Sequence, residues 1–208
     1  KLLEELVKKN QNVFTLGPII HNPQVIKYFE NKGVRIIDSP DECKEGDLIV
    51  VRTHGIPKDM MEKVKSISPN YCNATCPFVT KIHKIVSENS LKENVTLIAG
   101  DKSHPEVIGI RSYCNGRSFV FNSEKELDKI IENHPDLSKN GLILVSQTTF
   151  STKIFEKCVK KIKMVYAGYI LYAITNPYII DTNQVVVIIT LLSAQYQISN
   201  HLPPIWKK

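Results

Sequence analysis

The chain of 208 residues has room for one large or two small domains, and its apolar content of 42% is enough for a real core. Its formal charge of +6 and pI near 9.0 suit an anionic ligand, but the lysines are dispersed and no run of five like charges occurs, which argues against a nucleic-acid-binding tail. The five cysteines, an odd number with no signal peptide ahead of them, argue against a secreted disulfide framework and point to a reducing cytoplasm.

Residues 1–9 place Leu2, Leu3, Leu6 and Val7 on one face and read as the end of a helix. Residues 12–16 predict a strand. A helix follows over 23–31, entered at Pro23, where a missing N–H costs nothing, and stopped before Gly33. Strands are predicted at 34–37 and 47–52, then helices at 57–66 and 77–88, each again opened by proline. The pattern continues with a strand at 95–99, a helix at 105–111 and a strand at 118–121. Residues 123–131 predict a helix capped by Ser123, with Glu126 at the capping-box position. A strand at 142–146 and a helix at 152–162 complete the series. The alternation predicts an α/β fold built of repeated parallel-sheet layers.

A short internal repeat supports duplication. His21-Asn22-Pro23-Gln24-Val25-Ile26 and Ser103-His104-Pro105-Glu106-Val107-Ile108 share Pro-x-Val-Ile, each after a strand and a histidine-bearing loop. After residue 163 the chain changes character. From Met164 to Trp206, His201 aside, Asp181 is the only acidic or basic side chain, and five of the eight tyrosines fall there. Residues 185–192 could form a strand. The uncharged run 164–180 is short for a membrane span, which needs about 20 residues. A buried hairpin, a peripheral apolar segment and the product of a shifted reading frame all remain open.

Four segments put polar residues at the ends of apolar strands: Leu16-Gly17-Pro18-Ile19-Ile20-His21-Asn22, Arg52-Thr53-His54-Gly55, Gly100-Asp101-Lys102-Ser103-His104-Pro105-Glu106 and Ser146-Gln147-Thr148-Thr149. A fifth, Asn73-Ala74-Thr75-Cys76-Pro77, adds a thiol. Ligands of open α/β folds bind at the carboxyl ends of strands, so the five describe one composite site for an anion and a soft metal. Cys72 and Cys76 are separated by three residues rather than the two of a zinc knuckle, and no second pair complements them. Cys76, just before a helix that opens at Pro77, is a candidate thiolate ligand; the plainer reading is a buried structural cysteine. His21, His54 and His104 could hold a diphosphate only if their loops converge. Glu106, two residues after His104, could deliver a proton if burial raises its pKa; otherwise it complements a helix dipole. Thr148 is open to a site role or to a helix cap.

Taken in order and spacing, LGPIIHNPQV, RTHGI, NATCPFVTKIH, GDKSHPEVIGI and SQTTFS make residues 12 to about 162 closely resemble the LytB/IspH proteins, the 4-hydroxy-3-methylbut-2-enyl diphosphate reductases of non-mevalonate isoprenoid synthesis. The family usually has Asp where Asn73 stands. The resemblance implies three α/β lobes around a 4Fe-4S cluster, with Cys76 as one of three cysteine ligands. It implies diphosphate binding by His21, His54 and His104, proton donation by Glu106 and a catalytic and substrate-contacting role for Thr148. It implies reductive removal of an allylic hydroxyl to give isopentenyl and dimethylallyl diphosphate, with ferredoxin or flavodoxin as electron donor.

The other two ligands would lie in a Phe-Cys-x-Gly-Val segment and an Asn-Thr-Ile-Cys-x-Ala-Thr segment, and neither occurs in the sequence; a Ser-x-Asn diphosphate segment of the third lobe is likewise missing. The expectation is a first lobe over 1–76 lacking its amino-terminal part, a second over 77–163, and a divergent, irregular apolar segment over 164–208 in place of the third. Such a chain is expected to be inactive or nearly so. The alternative is a non-enzymatic α/β module that binds diphosphate without a cluster.

Overall fold

Strands made almost wholly of branched and aromatic apolar residues set the architecture. The computed structural model describes residues 2–9, 12–19, 22–90, 94–137 and 141–165, with the backbone of 171–174 and 187–188. In chain order the first half holds α1 (Leu2–Lys9), β1 (Val13–Leu16), α2 (Pro23–Glu30), β2 (Arg35–Ile37), β3 (Leu48–Val51), α3 (Lys58–Ile67) and β4 (Cys72–Asn73). The second holds α4 (Pro77–Asn89), β5 (Val95–Ala99), α5 (Pro105–Ser112), β6 (Arg117–Phe121), α6 (Glu124–Asn133), β7 (Leu142–Ser146), α7 (Thr152–Val165), β8 (Leu171–Ile174) and β9 (Val187–Ile188). The expected α/β alternation is borne out, with most boundaries shifted by a residue or two. The sequence reading missed the 3-10 turn Pro40–Glu42 and the two-residue β4, both too short to carry a hydrophobic period.

Two sheets form, and they repeat one strand order. The first runs β2-β1-β3-β4 and the second β6-β5-β7-β8-β9. Every pairing is parallel except β8 with β9. Strands β1, β3, β5 and β7 are buried at every position, as parallel strands covered on both faces must be. Phe14, Leu16, Ile49 and Val51 pack against Val64 of α3, while Val13, Leu48 and Val50 turn to the other face with Leu3 of α1. In the second sheet Ile98, Ile143 and Val145 meet Ile82 and Val86 of α4 and Val107 and Ile110 of α5. Its opposite face, with Leu97, Ala99 and Leu144, meets Leu127 of α6 and Phe155 and Ile162 of α7.

The short sequence repeat has a structural counterpart. Pro23 opens α2 after β1, and Pro105 opens α5 after β5. The residue before each proline caps its helix: the Asn22 side chain accepts from the Gln24 and Val25 amides, and the His104 side chain accepts from the Glu106 amide. Asn22, not His21, therefore corresponds to His104. Beyond residue 163, α7 continues to Val165 and the backbone of 171–174 extends the second sheet beside β7. The strand read at 185–192 overlaps β9 at Val187–Ile188. The rest of the apolar segment lies outside the described residues.

Candidate active site

In each sheet the strand order reverses between the first and third strands, opening a crevice at their carboxyl ends where ligands of such folds bind. The loop after β1 carries Gly17-Pro18-Ile19, and that after β3 carries Thr53 and His54. In the second sheet the equivalent loops carry Asp101 to His104 and Gln147 to Thr149. Topology alone thus brings the sequence motifs to the two crevices. His21 lies outside the described residues.

The crevices meet through their histidines. The His54 and His104 rings approach edge to face, with centroids 5.3 Å apart. The Glu106 amide donates to His104 Nδ1 at 3.2 Å, so a neutral His104 carries its proton on Nε2. Two hydrogen bonds tie the first-sheet loops together. Thr53 Oγ1 donates to the Ile19 carbonyl at 3.0 Å, and the Cys76 amide donates to the Thr53 carbonyl at 2.9 Å. Cys76 thus sits beside the His54 loop, half-buried, as the residue preceding α4, and its thiol makes no capping bond.

Glu106 lies in the first turn of α5 with none of its surface exposed. Its carboxyl group is held by one residue: the Thr148 amide donates to Oε1 at 2.7 Å, and Thr148 Oγ1 donates to Oε2 at 2.8 Å. Burial pushes its pKa above the usual carboxylate range, opposed by the two bonds from Thr148. Burial outweighs those bonds. When Glu106 is protonated, its O–H can turn the 2.8 Å contact round and donate to Thr148 Oγ1, which frees the hydroxyl proton to point elsewhere. Thr148 is no helix cap, since α7 begins four residues later at Thr152.

The sequence reading missed Gln147. Its side chain is nearly buried; Oε1 accepts from the Asp101 amide at 3.2 Å and Nε2 donates to Thr149 Oγ1 at 2.7 Å. It therefore clamps the loop that leads to His104 onto the loop that carries Thr148. Its position between the last strand residue and Thr148 was the available signal.

The thiols test the expected cluster. Iron–sulfur clusters are held by cysteine thiolates, yet Cys43 and Cys158 are buried in separate cores, where burial pushes each thiol up to about 11. Cys72 and Cys114 pack at the edges of two further cores, and burial raises both. Of the five thiols, Cys76 alone stands at the strand ends beside the His54 loop. The residues described do not by themselves fit a cubane, and no group of three or more His, Cys, Asp or Glu side chains among them could hold a metal ion. No helix among them is long and apolar enough to cross a membrane.

Known proteins resemble this chain in sequence and in fold. The family model described as LytB protein matches residues 1–176. A 4-hydroxy-3-methylbut-2-enyl diphosphate reductase of Caldanaerobacter subterraneus subsp. tengcongensis is 41% identical over 163 residues, covering 77% of this chain and 54% of that protein. The reductase of the same name from Alkaliphilus oremlandii is 36% identical over 156 residues, 75% of this chain and 53% of the relative. A solved (E)-4-hydroxy-3-methyl-but-2-enyl diphosphate reductase, described as the terminal enzyme of the non-mevalonate pathway, superposes with a TM-score of 0.68 at 32% identity, over 84% of this chain and 60% of that one. The chain spans about half the length of the curated relatives it matches. With the matched model spanning most of its residues and the strand-end loops assembled as described, the chain belongs to the LytB family.

Proposed function

We propose that the chain contributes the diphosphate-holding and proton-donating part of a 4-hydroxy-3-methylbut-2-enyl diphosphate reductase site. The observation that carries this is the meeting of His54 and His104, one from each sheet, beside a carboxyl group buried on Thr148. Imidazole N–H groups from both crevices, with His21 as a third, hold the diphosphate. The reaction takes up two electrons and two protons, breaks the allylic C–O bond and releases water. Glu106, whose protonated form burial favours, supplies the proton that makes hydroxyl a leaving water, with Thr148 positioned to pass it. The second proton goes to the allylic carbon, giving isopentenyl or dimethylallyl diphosphate.

Cys76 is one candidate thiolate for a 4Fe-4S cluster, and a ferredoxin or flavodoxin is the electron donor this reading calls for. We read residues 1–76 as one lobe and 77–163, whose sheet is extended by the strands at 171–174 and 187–188, as a second, with the rest of 164–208 standing where a third lobe would be. Five free thiols suit a reducing compartment such as the cytoplasm.

A second reading is favoured by the single site thiol: a module that binds diphosphate without a cluster and does not turn over. Two measurements decide. Calorimetric titration with 4-hydroxy-3-methylbut-2-enyl diphosphate is expected to show saturable binding that weakens in His54→Ala and in His104→Ala. Unchanged affinity in both variants would remove the diphosphate assignment. Anaerobic iron–sulfur reconstitution followed by absorbance near 400 nm and a reduced-viologen assay separates enzyme from module. Stable absorbance with turnover supports the enzyme, and binding without either supports the module.

A further inference from the structure

One buried histidine is not part of the assembly described above. His83 lies on α4, the helix that begins just after Cys76, and is 7% exposed. Its Nε2 has no hydrogen-bond partner, so a hydrogen bond at that atom does not explain the imidazole. The ring stacks on Tyr113 with centroids 4.3 Å apart and planes 19° from parallel. Two glycines face it. A Cβ on Gly55 would lie 2.8 Å from His83 Cε1, and one on Gly109 would lie 3.1 Å from Nε2. Either contact is tighter than ordinary packing, so both positions are kept free of a side chain by the same edge of one ring.

The two glycines belong to the two halves of the site. Gly55 directly follows His54, and its φ of +74° is a conformation that glycine adopts without penalty. It is pinned at both ends: its amide donates to the Arg52 carbonyl at 3.1 Å, and its carbonyl accepts from Arg52 Nε at 3.2 Å. Gly109 lies three residues after Glu106, on the same side of α5. A further bond ties α5 to the first-sheet half, with the Lys58 amide at the start of α3 donating to Ser112 Oγ at the end of α5, 2.9 Å. Helix α4 itself is fixed to the second sheet by Ile82 and Val86.

We propose that His83 is a positioning residue for the site: its ring, wedged between Gly55 and Gly109, sets the separation between the loop that carries His54 and the helix that carries Glu106 and follows His104. The inference rests on the reading that His54 and His104 share one diphosphate. The wedge fixes how far apart those two rings stand. A flat five-membered ring fills the slot. Alanine leaves it empty and lets the halves approach, whereas phenylalanine extends past the imidazole edge and forces both glycines away. Alanine at Gly109 narrows the same slot from the other wall.

The test uses the 208-residue chain with inorganic pyrophosphate as probe. Imidazole 15N–1H spectra report His54 and His104 directly, independent of ligand. In the parent chain, cross-relaxation between His83 Hε1 and the α-protons of both Gly55 and Gly109 is expected; its absence overturns the proposal before any variant is made. In His83→Ala, His83→Phe and Gly109→Ala, the His54 and His104 ring signals are expected to move and pyrophosphate affinity to fall by about tenfold or more. Leu127→Ala, in the core on the far face of the second sheet, is the control for lost stability and is expected to move neither. Folded His83 or Gly109 variants with unmoved ring signals refute the wedge. Ring signals that move in the variants, when the parent chain does not bind pyrophosphate, keep the wedge and refute the diphosphate reading.

Discussion

At the scale of single residues, Glu106 and His83 pull stability in opposite directions with pH. Glu106 has a raised pKa, so over the range above the ordinary glutamate pKa of 4.5 the folded chain keeps a proton that the unfolded chain has lost. Its contribution is fully present below that value and fades as pH rises through the folded pKa. We predict that Glu106→Gln removes this decline. Urea unfolding of parent and variant from pH 4 upward should give a stability difference that shifts in favour of the variant as pH rises. A difference independent of pH would show that Glu106 ionises normally.

His83 has the opposite sign. Burial lowers its pKa from 6.5 to about 4. Between those values the unfolded chain binds the extra proton, so the neutral ring's contribution is present above 6.5 and lost as pH falls toward 4. The full effect is about 3 kcal/mol. His83→Leu should be less sensitive to acid than the parent over that window, even if it is less stable at neutral pH. Equal acid sensitivity in denaturant titrations would mean that the buried ring takes up its proton without penalty.

At the scale of elements, α5 carries the argument, because His104 caps it and Glu106 stands in its first turn. It is held down by Val107 and Ile110, both essentially fully buried against Ile82, Val86 and Ile98. Ile110→Ala should cost about 2–5 kcal/mol by transfer and cavity terms, read as a lowered melting temperature. A loss under 1 kcal/mol would mean that the helix is not anchored there.

This helix also shows what the sequence could and could not reveal. Pro105 after an apolar strand marks its start, and Pro-x-Val-Ile marks its likeness to α2. The motif also sets Asn22 opposite His104, each directly before its proline, but does not show that both side chains cap their helices. The bonds from Thr148 to Glu106 span 42 residues, and periodicity has no reach over such a distance. Gln147 and His83 were missed for the same reason. Gln147 holds the Asp101 amide and His83 meets Gly55 and Gly109, all far off in sequence, while the neighbours of each say only strand end or helix interior.

At the scale of the molecule, the His54 and His104 rings, 5.3 Å apart, bring one residue of each crevice within reach of a single small anion. The central claim is that His54 and His104, 50 residues apart in sequence and on different sheets, act on the same anion. A double-mutant cycle on pyrophosphate binding tests it most directly, with His54→Ala, His104→Ala and the double variant titrated calorimetrically at one salt concentration. The account predicts one site per chain, loss of affinity in each single variant, and a coupling energy of at least about 0.5 kcal/mol between them. Losses that add to within about 0.3 kcal/mol, or binding that survives the double substitution, would contradict it.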